Sequence, residues 1–95
     1  MKELEILIVG KHPDIMKTIL RLINNKPGWK GSGAFTVEET LTLSKTTAFH
    51  VVLLGAGLSE SESGHIKAHF TVPVVQHYGG GSGLLYAEIY EAVGS

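Results

Sequence analysis

Three short apolar runs constrain this chain more than any other feature: "LEILIV" over residues 4–9, "FHVVLL" over residues 49–54 and "VPVVQHY" over residues 72–78. They are continuous rather than alternating and rich in Val, Ile and Leu, the pattern of strands covered on both faces, as in a parallel sheet. Each parallel pair needs a crossover, usually a right-handed one through a helix. The segments between the runs must therefore be read for helices.

Pro13 suits a first helical turn, and Ile15, Met16, Ile19, Leu20 and Ile23 recur at helical spacing until the breaker cluster "NNKPG" at 24–28. Trp29 to Phe35 reads as a weak second strand, interrupted by Gly31 and Gly33. Trp29 is expected to cover a sheet edge. Thr36 and Glu39 have capping-box spacing, predicting a helix to about Thr47 with Val37, Leu41 and either Leu43 or Ala48 facing the core. Ser59 to Ser63 starts a third helix ending near Phe70, and Pro73 stands near the start of the last strand, where proline is tolerated. After the glycine-rich break from Gly79 to Gly83, a final helix spans Leu84 to Val93, with Leu85, Ile89 and Val93 inward and Glu88 and Glu91 outward.

Strand and helix thus alternate four times, which predicts one α/β domain over residues 1–95, with a four-stranded parallel sheet between two helical layers. In such sheets ligands bind beyond the C-terminal strand ends. That edge would carry Gly10 to His12, Gly55 to Gly57 and His77 to Gly81.

Composition narrows the function. Eight basic residues stand against nine acidic ones for a net charge of −1, so no electrostatic footprint for nucleic acid is present. Cysteine is absent, which removes thiolate chemistry and disulfides. The first apolar run is much shorter than a signal-peptide core or a membrane span, and the expectation is a cytoplasmic protein without membrane association.

The stretches "ILIVGKHPDIMKTILRLI", "FTVEETLTLSKTTAFHVVLLGAGL" and "TVPVVQHY" resemble, in order and spacing, the receiver domains of bacterial two-component response regulators, over roughly residues 4–78. The resemblance implies a flavodoxin-like, CheY-like fold with strands in the order 2-1-3-4. It also implies a site for magnesium-dependent phosphoryl transfer to an aspartate. Carried over residue by residue, that site is degenerate. The metal-holding acidic pair falls on Gly10 and Lys11, the phospho-acceptor on Gly55, and the Thr or Ser that closes on the phosphoryl group near Tyr78. Glycine offers no nucleophile and lysine no ligand for a hard cation. Asp14, the nearest acid, is placed to serve the start of the first helix.

A receiver also has a further helix and a fifth strand, which the remaining residues cannot supply. The 72–78 strand then becomes an exposed apolar edge, a liability unless covered. The expected cover is a second copy of the chain, pairing through Val72, Val74 and Gln76 or through Tyr86 and Tyr90 of the last helix. The reading is a truncated pseudo-receiver with no enzymatic activity and no cofactor, a homodimeric module bound to a signalling protein. A rival reading is a small anion- or nucleotide-binding domain using Gly10-Lys11, Gly55 to Gly57 and Gly79 to Gly83, with Lys11, Gly79, Gly80 and Gly81 holding the anion. His65 and His69, four apart, have a spacing used by zinc ligands, with His12, His77 or the Glu60/Glu62 region as further donors, although a surface helix with two histidines is the plainer reading.

Overall fold

The computed structural model describes residues 3–77 and 82–94, Ser82 by its backbone alone. Its elements follow the alternation read from the sequence: β1 (Leu4–Val9), α1 (Pro13–Asn24), β2 (Trp29–Ala34), α2 (Val37–Thr46), β3 (Val51–Leu54), α3 (Glu60–His69), β4 (Val74–Gln76) and α4 (Ser82–Ala92). The strands form one sheet in the order β2-β1-β3-β4, and every neighbouring pair is parallel.

The continuous apolar runs are explained by the two helical layers. Along β1, Ile6 and Ile8 point to one face and Leu7 and Val9 to the other, and along β3 Val51 and Leu53 alternate in the same way with Val52 and Leu54. All eight side chains are essentially inaccessible to solvent. On the first face Met16, Ile19 and Ile23 of α1 pack with Leu85 and Ile89 of α4. The second face carries Ile66 of α3, with Val37 and Leu43 of α2 against it.

Several boundaries and faces differ from the sequence reading. Ile15 is 51% exposed, because the stripe facing the sheet runs through Met16, Ile19 and Ile23, which leaves Ile15 at its side. Leu41 is half-buried outside the core cluster; Thr40 is buried in α2 and returns its hydroxyl to the Thr36 carbonyl at 2.9 Å. The third strand starts at Val51, two residues later than expected, although the pairing continues: the His50 N–H donates to the Glu5 carbonyl, and the Glu5 N–H donates to His50 Nδ1, both at 2.9 Å. The imidazole thus replaces a backbone carbonyl at the end of the ladder. β4 is shorter than the apolar run, with Val72 outside the strand and Pro73 contributing only its carbonyl, to the Val52 N–H at 2.9 Å.

The glycines of β2 serve packing. A Cβ at Gly31 would lie 3.1 Å from Ile23 Cγ2, and one at Gly33 only 2.8 Å from Met16 Sδ. Their missing side chains allow α1 to lie directly on the strand.

Candidate functional site

The C-terminal sheet edge is tied together by backbone. The Gly10 N–H donates to the Ala34 carbonyl at 3.1 Å, the Lys11 N–H to Ala56 at 3.2 Å, and the Gly55 N–H to Val9 at 2.7 Å. Gly10 and Gly55 stand side by side, and a Cβ on either would meet only ordinary contacts, the nearest at 3.6 and 3.4 Å. A Cβ would fit at both positions. Gly57 is different: its φ is +92°, and a Cβ there would sit 2.7 Å from Lys11 Cβ. Only glycine lets the β3–α3 loop pass beneath the lysine at that angle.

Lys11 reaches across this loop, its Nζ 3.0 Å from Glu62 Oε2, with about a third of each side chain exposed. Glu62 is itself held by the capping box of α3. Its Oε1 accepts from the Ser59 N–H at 3.0 Å, while its own N–H donates to Ser59 Oγ at 3.1 Å. The Ser59 backbone N–H, and after it the Lys11 ammonium, hold the Glu62 carboxyl below the usual glutamate range. The Lys11 ammonium therefore already has an anionic partner within the chain.

The space between Gly10, Gly55 and Ala56, bordered by Ile8, Met16 and Ile19 and open toward solvent beside His12 and Ile15, is a small, mostly apolar pocket of about 10 Å³. That holds about one water molecule, far less than a phosphate group needs. An anion would have to take Lys11 from Glu62 and bind outside this cavity. Divalent cations fare no better, since Gly10, Lys11 and Gly55 offer no carboxylate and Lys11 adds a positive charge. Among the described residues no three His, Cys, Asp or Glu side chains come together as a metal site. Asp14 lies in the first turn of α1, as expected, where it faces the positive end of the helix dipole.

The histidines are dispersed. His69 Nε2 lies 2.9 Å from Ser44 Oγ of α2, His65 is exposed, and His12 is the N-cap residue of α1 without a capping hydrogen bond. His77 is buried at the end of β4 and pairs through Nδ1 with Glu88 of α4. The sequence reading turned Glu88 outward, and the structure corrects this: Glu88 lies at the edge of the face formed by Leu85, Ile89 and Ala92, with its side chain 16% exposed. The spacing of that face was available in the sequence. The acid at its edge is tolerated there because His77 meets it.

The candidate interface residues are largely taken up within the chain. Val72 and Val74 pack on the α2–α3 side of the sheet, and Gln76 Nε2 donates to the Leu54 carbonyl at 3.0 Å. The Tyr86 hydroxyl donates to the Leu22 carbonyl at 2.9 Å, and the rings of Tyr86 and Tyr90 meet Trp29 edge-on with centroids 5.7 and 5.2 Å away. Trp29, at the start of the edge strand β2, thus packs against the core on the α1–α4 face of the sheet. Tyr78, Gly79, Gly80 and Gly81 lie outside the described residues.

A 2-1-3-4 parallel sheet with α1 and the last helix on one face and the middle helices on the other is the receiver fold of response regulators, CheY-like and flavodoxin-like. The chain is similar to the signal receiver domain of an HD domain-containing protein from Pseudomonas fluorescens, with a TM-score of 0.67 at 16% identity over 98% of this chain and 78% of that one. It is similar also to an orphan response regulator of H. pylori, with a TM-score of 0.65 at 13% identity over 95% of this chain and 96% of the other. A CheY-like receiver domain from Methylobacillus flagellatus matches with a TM-score of 0.61 at 14% identity, over 88% of this chain and 80% of that one. No family model and no curated protein matches the chain by sequence. Among the described residues no helix is long and apolar enough to cross a membrane.

Proposed function

We propose that this chain is a pseudo-receiver, a signalling module that recognises another protein and carries out no phosphoryl transfer. The observation that carries the reading is the pair of strand ends Gly10-Lys11 and Gly55, which occupy a receiver's reactive edge without a single carboxylate. No environment turns glycine into a nucleophile. The Lys11–Glu62 pair adds a contact between the β1–α1 loop and α3 beside that edge.

The module acts as a homodimer in this reading, with β4 pairing to its counterpart in a second copy. Among the described residues β4 pairs with β3 alone. Because the Pro73 carbonyl and the His77 N–H both face β3, the alternation of a strand turns the N–H and C=O groups of Val74 and Gln76 outward. Those groups are a template for a further strand.

Incubation of the whole chain with acetyl phosphate and magnesium, followed by mass spectrometry, tests the loss of phosphotransfer. The expected spectrum shows no added phosphoryl group, and an acid-stable or acyl phosphate on any residue at the sheet edge overturns the reading. The variant combining Gly10→Asp, Lys11→Asp and Gly55→Asp provides the contrast, since a Cβ at either glycine meets only ordinary contacts.

A further inference from the structure

Lys26 lies in the loop after α1, and its ammonium faces three aromatic rings. Nζ is 5.4 Å from the centroid of Trp29, 4.9 Å from Tyr86 and 5.0 Å from Tyr90. The tyrosine rings stand at 75° and 60° to Trp29, so the three planes form walls around one volume instead of a stack. Both ion pairs among the described residues lie elsewhere, at Lys11–Glu62 and His77–Glu88. The ring faces therefore supply the negative potential that Lys26 meets here.

A single favourable contact between a cation and an aromatic face is common in a protein of this size; three on one nitrogen are not. A primary ammonium is a poor fit for such walls, because it is compact, strongly hydrated and loses water on entering. A quaternary methylammonium group has the same charge spread over methyl groups, so it loses less hydration and covers more of each ring. Lys26 is half-buried, and among the described residues its ammonium meets these three faces and no ion pair; Tyr90 at the rim is 42% exposed. The lysine can swing out on its flexible stem without disturbing the helix.

We propose that Trp29, Tyr86 and Tyr90 form a binding site for small quaternary methylammonium solutes of the choline class, which Lys26 fills from within the chain when no ligand is bound. Lys26 is then a built-in competitor, and removing it strengthens binding. The proposal is independent of the pseudo-receiver reading, since the cage lies at the α1–β2 loop and α4, away from the Gly10–Gly55 edge.

Trp29 is the single tryptophan of the chain, so its fluorescence reports on the cage directly. Titration of the whole chain with tetramethylammonium or choline should give a saturable change in emission that sodium and ammonium at equal ionic strength do not give. Lys26→Ala is expected to tighten both by about tenfold. Tyr90→Leu, which removes one wall at the exposed rim, is expected to weaken both by a similar factor. A folded Lys26→Ala chain that responds to tetramethylammonium no more than to sodium overturns the proposal, as does binding unchanged by Tyr90→Leu. Should Lys26→Ala fail to fold, the wild-type titration decides: a saturable response specific to the quaternary cations supports the site, and its absence overturns it.

Discussion

In the proposed pseudo-receiver, Lys11 and Glu62 close the end of β1 with an ion pair and not with bulk. In a receiver this position is acidic; here it carries a cation, and a glutamate from α3 answers it at 3.0 Å. Glu62 titrates below ordinary glutamates, first because the Ser59 N–H donates to it and then because Lys11 lies beside it. Since its folded value is lowered, what it contributes to stability is present above the unfolded glutamate value and is lost as pH falls through the folded one. NMR titration of the side-chain carboxyl should place Glu62 below the other glutamates. In Lys11→Met it should move up but stay low, because the Ser59 amide remains. A Glu62 midpoint unaffected by Lys11→Met would mean that the pair does not persist in solution.

Two elements depend on contacts that local patterns disguise. β2 contains Gly31 and Gly33, poor strand residues by propensity, yet the register to β1 runs unbroken from Leu4–Trp29 to Val9–Ala34. The glycines are favourable because α1 rests on them. Gly33→Val places its Cβ where Met16 Sδ stands 2.8 Å away, and overpacking of this kind costs about 1–3 kcal/mol. Urea denaturation should show that loss, with Gly33→Ala milder because the methionine can bend away. α4 depends on His77 in the same manner. Glu88→Ala leaves a buried imidazole nitrogen without its partner and should destabilise the chain by about 1–3 kcal/mol, whereas Glu88→Gln, still able to hydrogen-bond, should lose less. Equal losses for the two variants would assign the effect to helix packing rather than to the pair.

At the scale of the molecule, among the described residues, the sheet has two edge strands, β2 and β4, each paired on one side only. Trp29, Tyr86 and Tyr90 gather around the β2 side, whereas β4 presents the backbone of Val74 and Gln76 outward. The side chains of Val72 and Val74 are partly buried against the chain's own core. Edge pairing works through backbone groups, and Val74→Pro removes one outward N–H while leaving the ladder to β3 in place. Light scattering is expected to give a dimer for the wild type and a shift toward monomer for Val74→Pro. A wild-type monomer at high concentration would remove the dimer from the proposed function.

The alternation of four strands and four helices was legible in the residues because burial on both sheet faces demands continuous apolar runs, and Thr36 with Glu39 and Ser59 with Glu62 mark two helix starts locally. The absence of acids at Gly10, Lys11 and Gly55 was legible for the same reason: those positions are set by where β1 and β3 end. What Lys11 touches was not, since Glu62 lies in another element and only folding brings the two together. The roles of Glu88, Gly33 and Lys26 share that origin. Each is decided by a neighbour distant in sequence, His77, Met16 and the Trp29–Tyr86–Tyr90 rings, and periodicity describes only which face a residue occupies. Pairing across elements is a property of the packed tertiary structure, where the cost of burying a charge or the gain of omitting a side chain depends on what arrives opposite it.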